Sequence, residues 1–231
     1  LSITAYTCGD LFLQSLLLEE ALKSLNRICD ATGNLSIVAL VGLPIAVSNR
    51  LYNMAVVVSG GRVMGAVPKT FLPNYNEFYE KRWFSSSEEL KEKTITLCNR
   101  SVPVGVDLVF KTELFNFSID VCEDLWTPIP PSSISCLNGA EVIFNLSASN
   151  ETTGKHLYRK SLVSQQSARC ISGYVYAASG NGESTTDIIF AGSSMIAENG
   201  SILAEGERFS FDSKVAVADI DIDRLRIDRL K

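Results

Sequence analysis

FSIDVCEDLW, residues 117–126, begins as a buried strand, with apolar or aromatic side chains at 117, 119, 121, 125 and 126. Cys122 falls where that strand should end, and two acids follow it at once. A negative charge nearby disfavours a thiolate, so Glu123 and Asp124 work against a reactive thiol. Either Cys122 is an inert core cysteine, or another part of the chain supplies a cation to offset the acids.

The 231 residues, 46% of them apolar, suffice for one substantial core, and the strand and helix signals predict one domain over 1–231. Twenty-six acids against twenty-one bases give a net charge of -5, with no basic cluster to follow a phosphate backbone. Nucleic acid is therefore not an expected partner. No apolar run is long enough to cross a bilayer, and no signal segment is visible, so neither a membrane nor a secretory route is expected. The six cysteines are dispersed and contain no CxxC pair, which favours reduced thiols and a cytoplasmic setting over disulfides or a zinc site. Asn-x-Ser/Thr triplets occur, but Asn116 and Asn145 fall in predicted buried strands where a glycan cannot fit. The single histidine, His156, lies in a polar helix and reads as a solvated surface residue. A metal site is not expected, and a nucleophilic Cys122 would need a carboxylate as its base.

Along the chain, helical spacing of Leu13, Leu16, Leu17, Ala21, Leu25 and Ile28 predicts a helix from about Asp10 to Thr32. Strands are predicted at 35–43, 52–58 and 62–67, the last two joined by a Ser59-Gly60-Gly61 turn. A polar surface excursion at 85–93 follows. Further strands are predicted at 108–110, 115–121, 141–146, 174–178, 194–197, 202–205 and 215–220. Helices are predicted at 131–139 and 154–171, and Asn199-Gly200 marks a hairpin. Helices alternate with some strands while other strands pair directly, so the class is α/β with a mixed sheet, or two packed sheets.

The cation that Cys122 needs has a candidate in GAVPKTFLPNYNEFYEKRWF, residues 65–84. Lys69 ends an apolar strand, and Pro68 and Pro73 stiffen its loop. Alone it reads as a surface lysine. Together, the Lys69 loop and the VCEDLW strand end resemble the nitrilase superfamily of carbon-nitrogen hydrolases. NRLYNMAVVV at 49–58, NLSAS at 145–149 and GYVYAASGNGESTTDIIFAGSSMI at 173–196 narrow the resemblance to the glutaminase (glutamine amidotransferase) domains of glutamine-dependent NAD synthetases. The resemblance covers essentially the whole chain.

That resemblance implies an αββα sandwich and a reaction in which Cys122 attacks the side-chain amide of L-glutamine. Lys69 and the Glu123 amide would hold the oxyanion, and ammonia would leave a thioester for water to hydrolyse. Glu77, eight residues after Lys69, matches a second glutamate that orients the lysine, or else is a surface acid at a helix start. Tyr6, Tyr75 and Trp126 match pocket aromatics, the latter two equally readable as core. Ser149 and Glu123 match contacts to the substrate's α-amino and α-carboxylate groups. Lys155 stands where relatives carry arginine, keeping the charge without the fork. No cofactor is implied for glutamine hydrolysis, and ATP and magnesium only for a synthetase domain absent from these residues. A homo-oligomer is implied as well. By the same resemblance, LSITAY at 1–6 continues a segment whose catalytic glutamate precedes Leu1. The first strand and helix are then expected to be missing, and little turnover is expected from these residues alone. A free-standing amidase or carbamoylase, and a catalytically inactive domain, are the alternative readings.

Overall fold

The structure is a computed structural model that describes residues 1–230. Contacts divide the chain into two compact units, Leu1–Leu108 and Val109–Lys231.

In the first unit, a 3-10 turn at Gly9–Leu13 precedes helix α1, Ser15–Thr32. The expected continuous helix from Asp10 breaks at Gln14, whose backbone is extended. Ala21, Leu25, Cys29 and Thr32 are the buried residues of α1, at spacings of four, four and three. Leu13 and Leu16, expected on that stripe, are 64% and 65% exposed. Strands β1 (Val38–Val47), β2 (Arg50–Ser59) and β3 (Arg62–Pro68) form an antiparallel sheet in that order. The turn between β2 and β3 is the expected one, with Gly60 and Gly61 at φ +53° and +72°, where a side chain would be strained. Because β2 is central, its run from Tyr52 to Val58, apolar except for Asn53, is buried on both faces and shows no alternation. The hairpin of β4 (Thr94–Leu97) and β5 (Arg100–Pro103) adds Ile95 and Val102 to a core built on Leu25, Leu43, Met54 and Val56. Truncating the fully buried Leu25 to alanine is expected to cost about 2–5 kcal/mol. The first residues run beside β1: Ile3 N–H donates to Gly42 O at 3.0 Å, and Gly42 N–H donates to Ser2 Oγ at 2.8 Å. A Cβ on Gly42 would lie 2.5 Å from Leu1 N, so glycine makes this approach possible.

The second unit contains β6 (Phe110–Lys111), β7 (Asn116–Val121), α2 (Pro131–Leu137), β8 (Val142–Ser147), α3 (Lys155–Cys170), β9 (Gly173–Ala178), β10 (Ser194–Glu198), β11 (Ser201–Glu205) and α4 (Ile222–Arg229). Its six strands run in the order β11-β10-β9-β8-β7-β6. The central β7-β8-β9 pairs are parallel and the outer pairs antiparallel, the mixed sheet expected from the sequence. Helices α2 and α3 make the two crossovers, and Val163 of α3 packs with Ile143, Tyr174 and Met195. The Asn199-Gly200 turn links β10 and β11 as expected, both residues at positive φ.

The predicted strand at 215–220 is not formed. These residues join no ladder, and Val215 and Val217 are 85% and 78% exposed. Alternation alone cannot make a strand without a partner edge. The unanticipated α4 follows, tied down by Arg229, which donates to Ile171 O at 2.9 Å and Ala140 O at 2.8 Å. Among the described residues, no helix is long and apolar enough to cross a membrane.

Candidate active site

In an α/β sheet the carboxyl ends of parallel strands are where functional groups gather. Cys122 stands directly after β7, and Ser149 lies just beyond β8. Cys122 is 8% exposed and takes φ +51°, a left-handed conformation that costs a non-glycine residue about 1–2 kcal/mol. The chain then turns at once into a 3-10 helix, Cys122–Trp126. One side chain grips both sides of this bend: Cys122 N–H donates to Asn145 Oδ1 at 3.2 Å, and Asn145 Nδ2 donates to Cys122 O at 3.5 Å. At about 0.5–1.5 kcal/mol net for each hydrogen bond, the two together are large enough to offset the strain.

Asn145 Nδ2 also donates to Tyr174 Oη at 3.1 Å, and Tyr174 donates to Asp120 Oδ2 at 2.9 Å. The other Asp120 oxygen accepts from Ser132 N in the first turn of α2, at 2.9 Å. Burial pushes the Asp120 carboxyl up to about 6 against these hydrogen bonds, and burial likewise raises Tyr174 well above an ordinary phenol. Of the two acids after Cys122, Asp124 is turned back onto the bend, its Oδ2 accepting from Val121 N at 3.0 Å. Glu123 is half-buried.

Ser149 is buried, and its hydroxyl accepts from Arg159 Nη2 at 3.3 Å. The Arg159 guanidinium is fully buried; it also donates to Asn150 O at 2.9 Å and pairs with Glu151. Lys155 lies with its ammonium 5.3 Å from the Trp126 ring centroid and hydrogen bonds to Asn150 Oδ1. These two predicted binding residues therefore meet, and Tyr158 packs on the same indole at 5.5 Å.

The remaining predicted residues belong to the first unit. Lys69 N–H donates to Asn53 O at 2.9 Å and Lys69 O accepts from Ser87 N at 3.0 Å, so the backbone is fixed on both sides. Its side chain is wholly buried and donates to Glu80 Oε1 at 2.7 Å. Tyr6 donates to the same oxygen at 2.9 Å, while Glu80 Oε2 is buried with no hydrogen-bond partner among the described residues. The Glu80 backbone is tied to the loop through Pro73 O at 3.1 Å. Glu77, which the sequence offered as the lysine's partner, is half-buried, and Tyr75 is 51% exposed with its ring 6.0 Å from Phe78.

His156 is not the solvated residue expected. Its side chain is 16% exposed, and Nε2 lies 2.9 Å from Glu205 Oε1. It lines a cavity of about 610 Å³ with Glu151, Leu157, Ile189, Arg208 and Phe209, none of them a predicted site residue.

The carbon-nitrogen hydrolase profile matches residues 1–229. The chain belongs to the carbon-nitrogen hydrolase family. Among curated relatives of this hydrolase, the glutamine-dependent NAD(+) synthetase of Mycobacterium tuberculosis is 42% identical over 234 residues, covering 100% of this chain and 34% of the relative. That of Rattus norvegicus is 32% identical over 242 residues, covering 100% and 33%. The chain thus spans about a third of the length of the curated relatives it matches. In structure, a glutamine-dependent NAD(+) synthetase from Cytophaga hutchinsonii matches with a TM-score of 0.83 at 29% identity, over 93% of this chain and 35% of the other. A carbon-nitrogen hydrolase from Helicobacter pylori matches with a TM-score of 0.74 at 18% identity, over 100% and 76%, so the nitrilase-like α/β fold is shared well beyond close sequence similarity.

Within this hydrolase, sequence reasoning missed Glu80, Arg159, Asp120, Asn145 and Tyr174. Glu80 had a signal, since it stands in the same FYE segment as Phe78 and Tyr79. Asp120 had one too, as a carboxylate inside an otherwise apolar strand two residues before the cysteine.

Proposed function

We propose that this chain is a glutaminase domain that hydrolyses the side-chain amide of L-glutamine through a thioester on Cys122, supplying ammonia for the amidation of nicotinic acid adenine dinucleotide. The observation that carries the reading is the conformation of Cys122: a buried thiol in a left-handed bend at the carboxyl end of a parallel strand. Strained backbone of this kind tends to gather at functional sites, and here it coincides with a nucleophilic residue type at a strand end. The relatives named above, glutamine-dependent NAD(+) synthetases, support glutamine over other amides.

In the proposed reaction the Cys122 sulfur attacks the amide carbon, its proton passing to a carboxylate base. Lys69 contributes positive charge that stabilises the tetrahedral oxyanion, and the Glu123 amide donates to it. The intermediate collapses with loss of ammonia, which carries away the proton, and water then cleaves the thioester to L-glutamate. Glu80 pairs with Lys69 and orients it. Ser149, supported by Arg159, and Lys155, supported by Trp126, serve the substrate's charged α-groups, with Tyr6 and Tyr75 as pocket aromatics. Glu77 remains a proposed second orienting acid.

No cofactor takes part in this half-reaction, and the step using ATP and magnesium is assigned to a synthetase domain. Self-association is part of the proposal, supported by exposed Leu157 and Tyr158 on α3, and size-exclusion chromatography checks it. The function is tested by ammonia release from glutamine, asparagine and simple aliphatic amides. Preference for glutamine, lost in Cys122→Ala, is expected; equal turnover of all three would point to a general amidase.

A further inference from the structure

The buried chain Asp120–Tyr174–Asn145 has no role in the reaction as described, yet it ends on the backbone of Cys122. We infer that Asn145, oriented by Tyr174 and Asp120, is the positioning residue that aims the Cys122 sulfur. The inference rests on Cys122 being the nucleophile.

With Asp120 ionised, the direction of every proton in this chain is forced. Cys122 N–H can only donate, so Asn145 must present Oδ1 to it at 3.2 Å and turn its amino group the other way. That amino group has two hydrogens and two acceptors, Cys122 O and Tyr174 Oη. Tyr174, already accepting, has one proton to give, and it goes to Asp120 Oδ2. The second Asp120 oxygen is held by Ser132 N–H. A flipped Asn145 amide would set donor against donor at Cys122 N–H and acceptor against acceptor at Tyr174 Oη, whose proton is committed to Asp120, so the remote carboxylate helps fix which way the amide points.

The position of the amide matters because the strand ladder stops one residue too early. Val121 pairs with Leu146 as the last rung between β7 and β8. Cys122, beyond it, has the Asn145 side chain where a neighbouring strand would otherwise bond. Both peptide groups flanking the Cys122 α-carbon are bonded to one rigid amide, so rotation of the bend, and with it the direction of the sulfur, follows Asn145. Asp120, Tyr174 and Asn145 are each 1% exposed or less. Burial works against ionising Asp120, so an apolar trio of similar volume would be a cheaper core.

The test uses the full-length chain with Tyr174→Phe, Asn145→Ala, the double variant and Cys122→Ala, measuring glutamine hydrolysis per thiol titrated by iodoacetamide. A misaimed nucleophile loses kcat with KM little changed, and misplacement of about 1 Å costs up to about 100-fold. Tyr174→Phe, which removes one oxygen and should fold, is expected to lower kcat by about tenfold, with KM and the rate of Cys122 alkylation within about twofold of the parent. Asn145→Ala should lose more, and the double variant no more than Asn145→Ala, because Tyr174 acts through Asn145. A kcat per titrated thiol within about twofold of the parent for Tyr174→Phe, or additive losses in the double variant, would overturn the inference. If Cys122→Ala itself hydrolyses glutamine like the parent, the nucleophile reading falls, and this inference with it.

Discussion

Lys69 and Glu80 form an ion pair of 2.7 Å with both side chains almost wholly removed from solvent. Breaking a buried pair by removing one partner leaves an uncompensated charge and typically costs about 3–5 kcal/mol, whereas replacing both by apolar groups is often close to neutral. Glu80→Ala is therefore expected to destabilise the first unit by about that amount, and Lys69→Met combined with Glu80→Leu by far less. Urea unfolding followed by Trp83 fluorescence reads this. Equal destabilisation by the single and double changes would show that the pair is not the unit that matters.

Lys69 and Lys155 are both lysines assigned to the reaction, but they should fail differently. Lys69 would act on charge that develops only in the transition state, and loss of one oxyanion donor costs about 10² to 10³ in kcat. Lys69→Gln is expected to fall in that range. Lys155→Ala, next to Trp126, should instead raise KM for glutamine, because a substrate carboxylate is charged throughout the reaction. Steady-state kinetics on both variants distinguish these outcomes, and equal losses in kcat would defeat the assignment.

Asp120 makes stability depend on pH in an unusual direction. Its folded pKa is raised by burial from 3.8 to about 6, so the folded state favours the protonated acid. The contribution is fully present below pH 3.8 and is lost as pH rises through about 6. A shift of this size corresponds to about 3 kcal/mol. Asp120→Asn, which cannot titrate, should flatten that part of the stability profile, measured as the urea midpoint across this window. An unchanged slope would mean that other groups set it.

What the sequence revealed and what it hid follow from the range of the interactions. The hairpin at Gly60-Gly61 and the cysteine at the end of β7 are local patterns, and both stand where they were expected. The β4–β5 hairpin was hidden because Cys98-Asn99 takes the positive φ angles that glycine usually announces. Val215–Ile220 shows the converse: its alternation promised a strand, but alternation carries no information about a partner. Arg159 is fully buried while its neighbour Lys160 is 39% exposed, a difference set by the direction each leaves α3 and not by residue type. The Asp120–Tyr174–Asn145 chain depends on the register of three strands, which no single segment encodes.

The central claim is that Cys122 forms a covalent intermediate with glutamine, and acid quenching during turnover tests it most directly. The full-length chain, mixed with L-glutamine, stopped with acid and digested, is read by mass spectrometry at the peptide holding Cys122. The account predicts an added mass equal to glutamine less ammonia, on that peptide alone, absent from Cys122→Ala and removed by hydroxylamine. Glutamine turnover at full rate with no such adduct, or an adduct on another cysteine, would contradict it.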